Sequence, residues 1–176
     1  QVSVSTADDK PLISVIMNCY NGDAYLRESI SSICSQTYEN WELVFWDNCS
    51  TDGSMDIVRS VQDSRLKCFS ALEHTSLGLA RKLALEKATG EWVGFLDVDD
   101  LWFPEKLSEQ MNAIQSERSA VGLVYSRCVV LDGEKNYTES FSQTAQVLPS
   151  CKSLPQACLA EKLFLGNLIP FPSILY

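Results

Sequence analysis

The sequence predicts an α/β domain with a mainly parallel sheet flanked by helices. Three observations predict it. Short, largely apolar runs of strand length recur at residues 12–17, 43–46 and 92–96. Segments between them carry apolar residues at helical spacing, as at Leu26, Ile30 and Ile33. The strand runs lack polar alternation, the mark of strands buried on both faces under helices.

Each element follows from local signals. Residues 1–10 are polar and are expected to form a flexible N-terminus, with one domain over 11–176. After the first strand, Asn21-Gly22-Asp23 is a turn, with Asp23 placed to cap a helix carrying Leu26, Ile30, Ile33 and Cys34 on one face. The second strand runs into the polar loop 47–53, and Met55, Val58 and Val61 mark a second helix. Residues 65–70 read as a weaker third strand, and 79–88 as a third helix with Gly90 as its C-terminal stop. The fourth strand, 92–96, leads directly into Asp97-Val98-Asp99-Asp100. Pro104 opens a fourth helix at its first position, with Leu107, Met111 and Ile114 as its apolar stripe. Strands are expected at 121–125 and 128–131, a polar loop at 132–150, a helix at 154–164 and a final strand at the close of the chain.

Composition narrows the function. Apolar residues make up 45% and charged residues 21%, as in a soluble globular domain. A net charge of -9 argues against a nucleic-acid partner, which calls for a basic face. An acidic protein still binds an anionic ligand when a divalent cation stands between them. Seven scattered cysteines without a CxxC pair fit neither a disulfide framework nor a zinc site. They read as free thiols in a reducing compartment, hence a cytoplasmic protein. The longest apolar run falls far short of the roughly 18 residues of a spanning helix. The chain begins at Gln1 and stops at Tyr176 inside a strand-like run, so a longer parent protein is expected.

Ligands of open α/β sheets bind at the carboxyl ends of the strands. Three polar clusters follow such ends: Asn18-Cys19-Tyr20-Asn21, Asp47-Asn48-Cys49-Ser50 and Asp97-Val98-Asp99-Asp100. The last sets three carboxylates within four residues, which repel one another unless a cation neutralises them. Mg²⁺ or Mn²⁺ suits oxygen ligands and needs one or two carboxylates when phosphates complete its shell. Alternatively, Asp99 and Asp100 simply end the strand. Asp47 and Asn48 either read a base or ribose or form a turn. Tyr20 either stacks on a base or stands at the rim. Arg81 either pairs with a phosphate or is solvated. His74, the sole histidine, reads as a surface-loop residue.

From about Pro11 to Leu107 these segments resemble the glycosyltransferase family 2 domain, of GT-A fold. The resemblance is carried by Pro11-Leu12-Ile13-Ser14-Val15-Ile16-Met17-Asn18-Cys19-Tyr20-Asn21, then Ser29-Ile30-Ser31-Ser32-Ile33-Cys34-Ser35-Gln36-Thr37-Tyr38 and Trp41-Glu42-Leu43. It continues through Asp47-Asn48-Cys49-Ser50-Thr51-Asp52-Gly53-Ser54, Gly78-Leu79-Ala80-Arg81-Lys82 and Gly90-Glu91-Trp92-Val93-Gly94-Phe95-Leu96-Asp97-Val98-Asp99-Asp100. It implies a metal-dependent inverting transferase. The donor would be a nucleoside diphosphate sugar, with UDP-sugar expected, and the acceptor a glycan or lipid-linked molecule of the cell envelope. By that likeness Asp99 and Asp97 hold Mn²⁺ or Mg²⁺, while Asn18, Tyr20 and Asn48 line the base.

Two departures from the family pattern stand out. Asn48 replaces a usual second aspartate and Lys82 a commoner asparagine. The family's general base resembles the Asp of a Glu-Asp motif, and no such dipeptide occurs in the chain. The base is therefore expected beyond Tyr176, as is any peripheral contact with the inner face of the membrane. A nucleotidyltransferase would call for a basic, glycine-rich loop where Asn21-Gly22-Asp23 stands. A non-catalytic nucleotide-sugar or protein-binding module is the remaining alternative.

Overall fold

The computed structural model describes residues 10–118, 121–126, 146–149 and 174–175. Strand β1 (Ile13–Cys19) leads into helix α1 (Asp23–Cys34), β2 (Trp41–Asp47) into α2 (Ser54–Ser60), and β3 (Leu66–Ser70) into α3 (Leu77–Leu85). Then come β4 (Trp92–Phe95), α4 (Lys106–Ser116), β5 (Val121–Tyr125), β6 (Gln146–Pro149) and β7 (Ile174–Leu175). They form one sheet in the order β3-β2-β1-β4-β7-β5-β6. The β3-β2-β1-β4 portion is parallel, and β7 and β6 run antiparallel to their neighbours.

Alternation along the central strands divides the core into two layers. Ile13, Val15 and Met17 of β1 pack with Leu26, Ile30 and Ile33 of α1, Val58 of α2, and Leu107 and Met111 of α4. Ile16, Val44 and Trp46 face the other way, onto Ala80 and Ala84 of α3. Both faces of β1 and β2 are thus covered, as their unbroken apolar runs require. The chain moves outward from β1 through β2 to β3, then crosses back to place β4 on the other side of β1. That reversal opens a crevice at the carboxyl ends of β1 and β4, where open α/β sheets bind ligands.

Several expected boundaries shift for physical reasons. Asp23 does not cap α1; Gly22 holds that position, and the Asp23 carboxylate accepts the N–H of Gly53 at 3.3 Å. Gly90 does not stop α3, which ends at Leu85. It permits close approach instead, since a Cβ there would lie 2.6 Å from both Leu12 O and Ser14 N. Helix α4 starts two residues after Pro104. Part of the expected polar loop at 132–150 is strand β6, paired with β5. The strand expected at 128–131 and the helix at 154–164 lie outside the described residues. No helix among the described residues is long and apolar enough to cross a membrane.

Candidate active site

The rim begins with two loops bound to each other. After β1, the N–H groups of Asn21, Gly22 and Asp23 donate to Ser50 Oγ, Ser54 Oγ and Asp52 Oδ2, each at 3.0 Å. In return Asn21 Oδ1 accepts from Thr51 N at 2.8 Å. Asn48 N donates to Cys19 O at 2.8 Å, extending the β1–β2 ladder into the loops. Asn21 and Cys49 both adopt left-handed backbone, with φ of 54° and 68°. Asparagine tolerates that conformation, whereas a cysteine held there marks local strain. A Cβ on Gly22 would meet Cys19 Sγ and Val98 Cγ2 at 3.1 Å, so this glycine lets α1 start close against the acidic loop.

A cavity of about 270 Å³ opens between these loops and the segment before α3. Asn18, Cys19, Tyr20, Asn48, His74, Thr75, Ser76, Leu77 and Ala80 line it. Of the residues singled out from sequence, Asn18, Tyr20 and Asn48 therefore converge here. Tyr20 is half exposed, and its ring lies 4.2 Å from that of His74, tilted by 48°. The Asn48 side chain is committed to the opposite wall. Its Nδ2 donates to Thr75 O at 2.8 Å, and its Oδ1 accepts from Thr75 N at 3.1 Å and Thr75 Oγ1 at 3.0 Å. Asp47 is buried beneath, accepting from Ser50 N at 3.1 Å. Asn18 Nδ2 is buried without a partner among the described residues, a donor whose desolvation is uncompensated.

The acidic loop lies beside this cavity. Leu96 N donates to Ile16 O at 3.0 Å, carrying β4 into register with the end of β1. Ser29 Oγ of α1 donates to Asp97 O at 3.3 Å. Arg81, next to the cavity residue Ala80 on α3, donates from Nη2 to Asp97 Oδ1 at 2.7 Å. Thus Arg81 and Asp97, both picked out as ligand contacts, meet each other. Asp99 is exposed. Burial pushes the Asp100 carboxyl up to about 6, and the charges of Asp99 and Asp97 add to the rise. Among the described residues, no three histidine, cysteine or carboxylate side chains converge as a ready-made metal cage. The donor set does fit Mg²⁺ or Mn²⁺ in its usual manner with nucleotides: hard oxygens, one or two carboxylates, and the rest of the shell from phosphate and water. The crowded charge at Asp100 is the kind that a cation relieves.

Two contributors carried no local signal. His74 is a lone histidine in a loop, yet its ring forms one wall of the cavity. Gln36 is buried and fixes the stretch after the acidic loop, with Nε2 donating to Phe103 O at 2.8 Å and Oε1 accepting from Leu107 N at 3.0 Å. Its partners lie about 70 residues on, where no periodicity points.

Comparison with known proteins accords with this geometry. The Glycosyl transferase family 2 pattern matches residues 14–163. The UDP-Glc:alpha-D-GlcNAc-diphosphoundecaprenol beta-1,3-glucosyltransferase WfaP of Escherichia coli is 36% identical over 107 residues, 61% of this chain and 43% of that protein. Among solved structures, S. aureus TarS 1-349 in complex with UDP-GlcNAc superposes with a TM-score of 0.62 at 28% identity, covering 74% of this chain and 37% of TarS. The mannosyltransferase PcManGT of Pyrobaculum calidifontis, in complex with GDP-Man and Mn²⁺, gives 0.61 at 27% identity, covering 70% and 37%. The chain spans about half the length of the curated relatives it matches, or somewhat less. With the family pattern extending over most of its residues on a GT-A-type sheet, the chain belongs to glycosyltransferase family 2.

Proposed function

We propose that these residues form the donor half of a metal-dependent inverting glycosyltransferase. It moves a sugar from a nucleoside diphosphate sugar, with uridine as the base, to a glycan or lipid-linked acceptor. The observation that carries the reading is spatial. The cavity of Asn18, Tyr20, Asn48 and His74 and the Asp97–Asp99 loop both lie at the carboxyl end of the sheet by its switch point, and Arg81, next in sequence to the cavity residue Ala80, bonds to Asp97. The cavity takes the base, with Tyr20 offering an exposed ring face. Asp99 and Asp97 are the residues that hold Mn²⁺ or Mg²⁺. The cation supplies Lewis-acid neutralisation of the charge on the leaving diphosphate. Arg81 orients Asp97 and contributes a fixed positive charge on the diphosphate side.

The bound UDP-GlcNAc of TarS supports a uridine donor, and the Mn²⁺ of PcManGT supports a divalent cation. The lipid diphosphate in the name of WfaP supports a lipid-linked acceptor. Such an acceptor would bring the protein to the inner face of the membrane by peripheral contact. The direct test is calorimetry with UDP, GDP, CDP and dTDP, with and without Mn²⁺, on the chain and on Asp99→Ala. Metal-enhanced binding that Asp99→Ala abolishes is expected. Binding indifferent to both metal and substitution would refute the site.

A further inference from the structure

We infer that His74 is the residue that selects the base, through Nε2 acting as an acceptor for the N3–H of uracil. This rests on the donor-site reading above and deepens it. The tautomer follows from its neighbours. His74 Nδ1 lies 3.0 Å from the Asn48 backbone carbonyl, which can only accept, so Nδ1 carries the proton. The alternative partner, Asn48 Nδ2, is farther at 3.4 Å and already donates to Thr75 O at 2.8 Å. With Nδ1 protonated, Nε2 of the neutral ring is left with a lone pair and has no protein partner among the described residues.

The Asn48 side chain, meanwhile, is tied to Thr75 through Oδ1 twice and Nδ2 once, so it sets the position of the 74–76 segment, while its backbone carbonyl sets the tautomer of His74. Among the groups that line the cavity, Nε2 of His74 is then an acceptor without a partner. An imide edge offers the complementary N–H. Uracil has that edge, whereas cytosine sets a bare N3 lone pair against Nε2. Tyr20 holds the imidazole in place from the other side, with ring centroids 4.2 Å apart.

The test is calorimetric titration of the chain with UDP and CDP in the presence of Mn²⁺, on wild type and His74→Phe. Wild type should prefer UDP by about tenfold or more, the worth of one well-placed hydrogen bond. His74→Phe, which keeps a ring against Tyr20, should bring the two nucleotides within about twofold. A loss shared equally by UDP and CDP in His74→Phe, or a preference unchanged by the substitution, would overturn the assignment while leaving the donor site standing. Failure of wild type to bind any nucleotide would overturn both.

Discussion

Glu42→Gln isolates a buried charge at the end of the sheet away from the candidate active site. Glu42 is the second residue of β2 and its side chain is 5% exposed. Its carboxylate accepts from Ser14 Oγ at 2.5 Å, Thr89 N at 2.7 Å and Thr89 Oγ1 at 3.0 Å, and pairs with Lys67. It thus ties β1, β2 and β3 to the turn that enters β4. Burial alone would raise its pKa, but the bonds from Lys67, Ser14 and Thr89 prevail and lower it from 4.5 to about 2. A carboxyl depressed in the folded state stabilises the fold above its unfolded pKa, and that stability is lost as the pH falls through the folded value. The shift corresponds to about 3 kcal/mol at neutral pH, shrinking to about 1 kcal/mol at pH 3. Urea unfolding of wild type and Glu42→Gln should therefore diverge by about 3 kcal/mol at pH 7 and by less than half that at pH 3. Nucleotide affinity of the folded variant should match wild type, because Asp47 at the rim is five residues, or about 16 Å, along the strand. A stability gap independent of pH would refute the electrostatic account.

Three further predictions concern the framework. Gln36→Leu leaves Leu107 N–H and Phe103 C=O without the side chain that holds them, and should lower unfolding free energy by about 3 kcal/mol in urea titrations. Gly90→Ala drives a methyl group into the backbone of Leu12 and Ser14, and should cost about 3 kcal/mol or prevent soluble expression; a wild-type melting curve would disprove the close approach. Asn48→Ala releases three hydrogen bonds to Thr75 and should weaken UDP binding about tenfold, read by calorimetry, with a small change in global stability.

The central fold was legible because burial on both faces leaves a plain trace. The apolar runs at 12–17, 43–46 and 92–96 each overlap an observed strand, and the polar clusters at their carboxyl ends share one rim. Antiparallel β6 was missed because Gln146–Pro149 is short and set in a polar stretch. The crowding of Asp97, Asp99 and Asp100 was plain in the sequence, since all three fall within four residues. Residues whose work is relational left no such trace. Nothing near Asn48 in sequence shows that its amide is spent on Thr75, 27 residues away, nor that Arg81 meets Asp97. Gly90 looked like a helix stop because a glycine needed for contact and one needed for a left-handed turn are spelled alike.

The mutual lacing of the loops after β1 and β2 has a thermodynamic consequence for ligand capture. Asn21, Asp23, Ser50, Asp52 and Ser54 already spend their hydrogen bonds on one another, so, if the cavity takes the base as proposed, two of its sides are set before binding. The ordering entropy of binding would then fall on the third side, the segment around His74 and Thr75 that Asn48 tethers. On the same proposal, exchange of residues in that short segment would retune which base is taken while the sheet and its laced rim keep their shape.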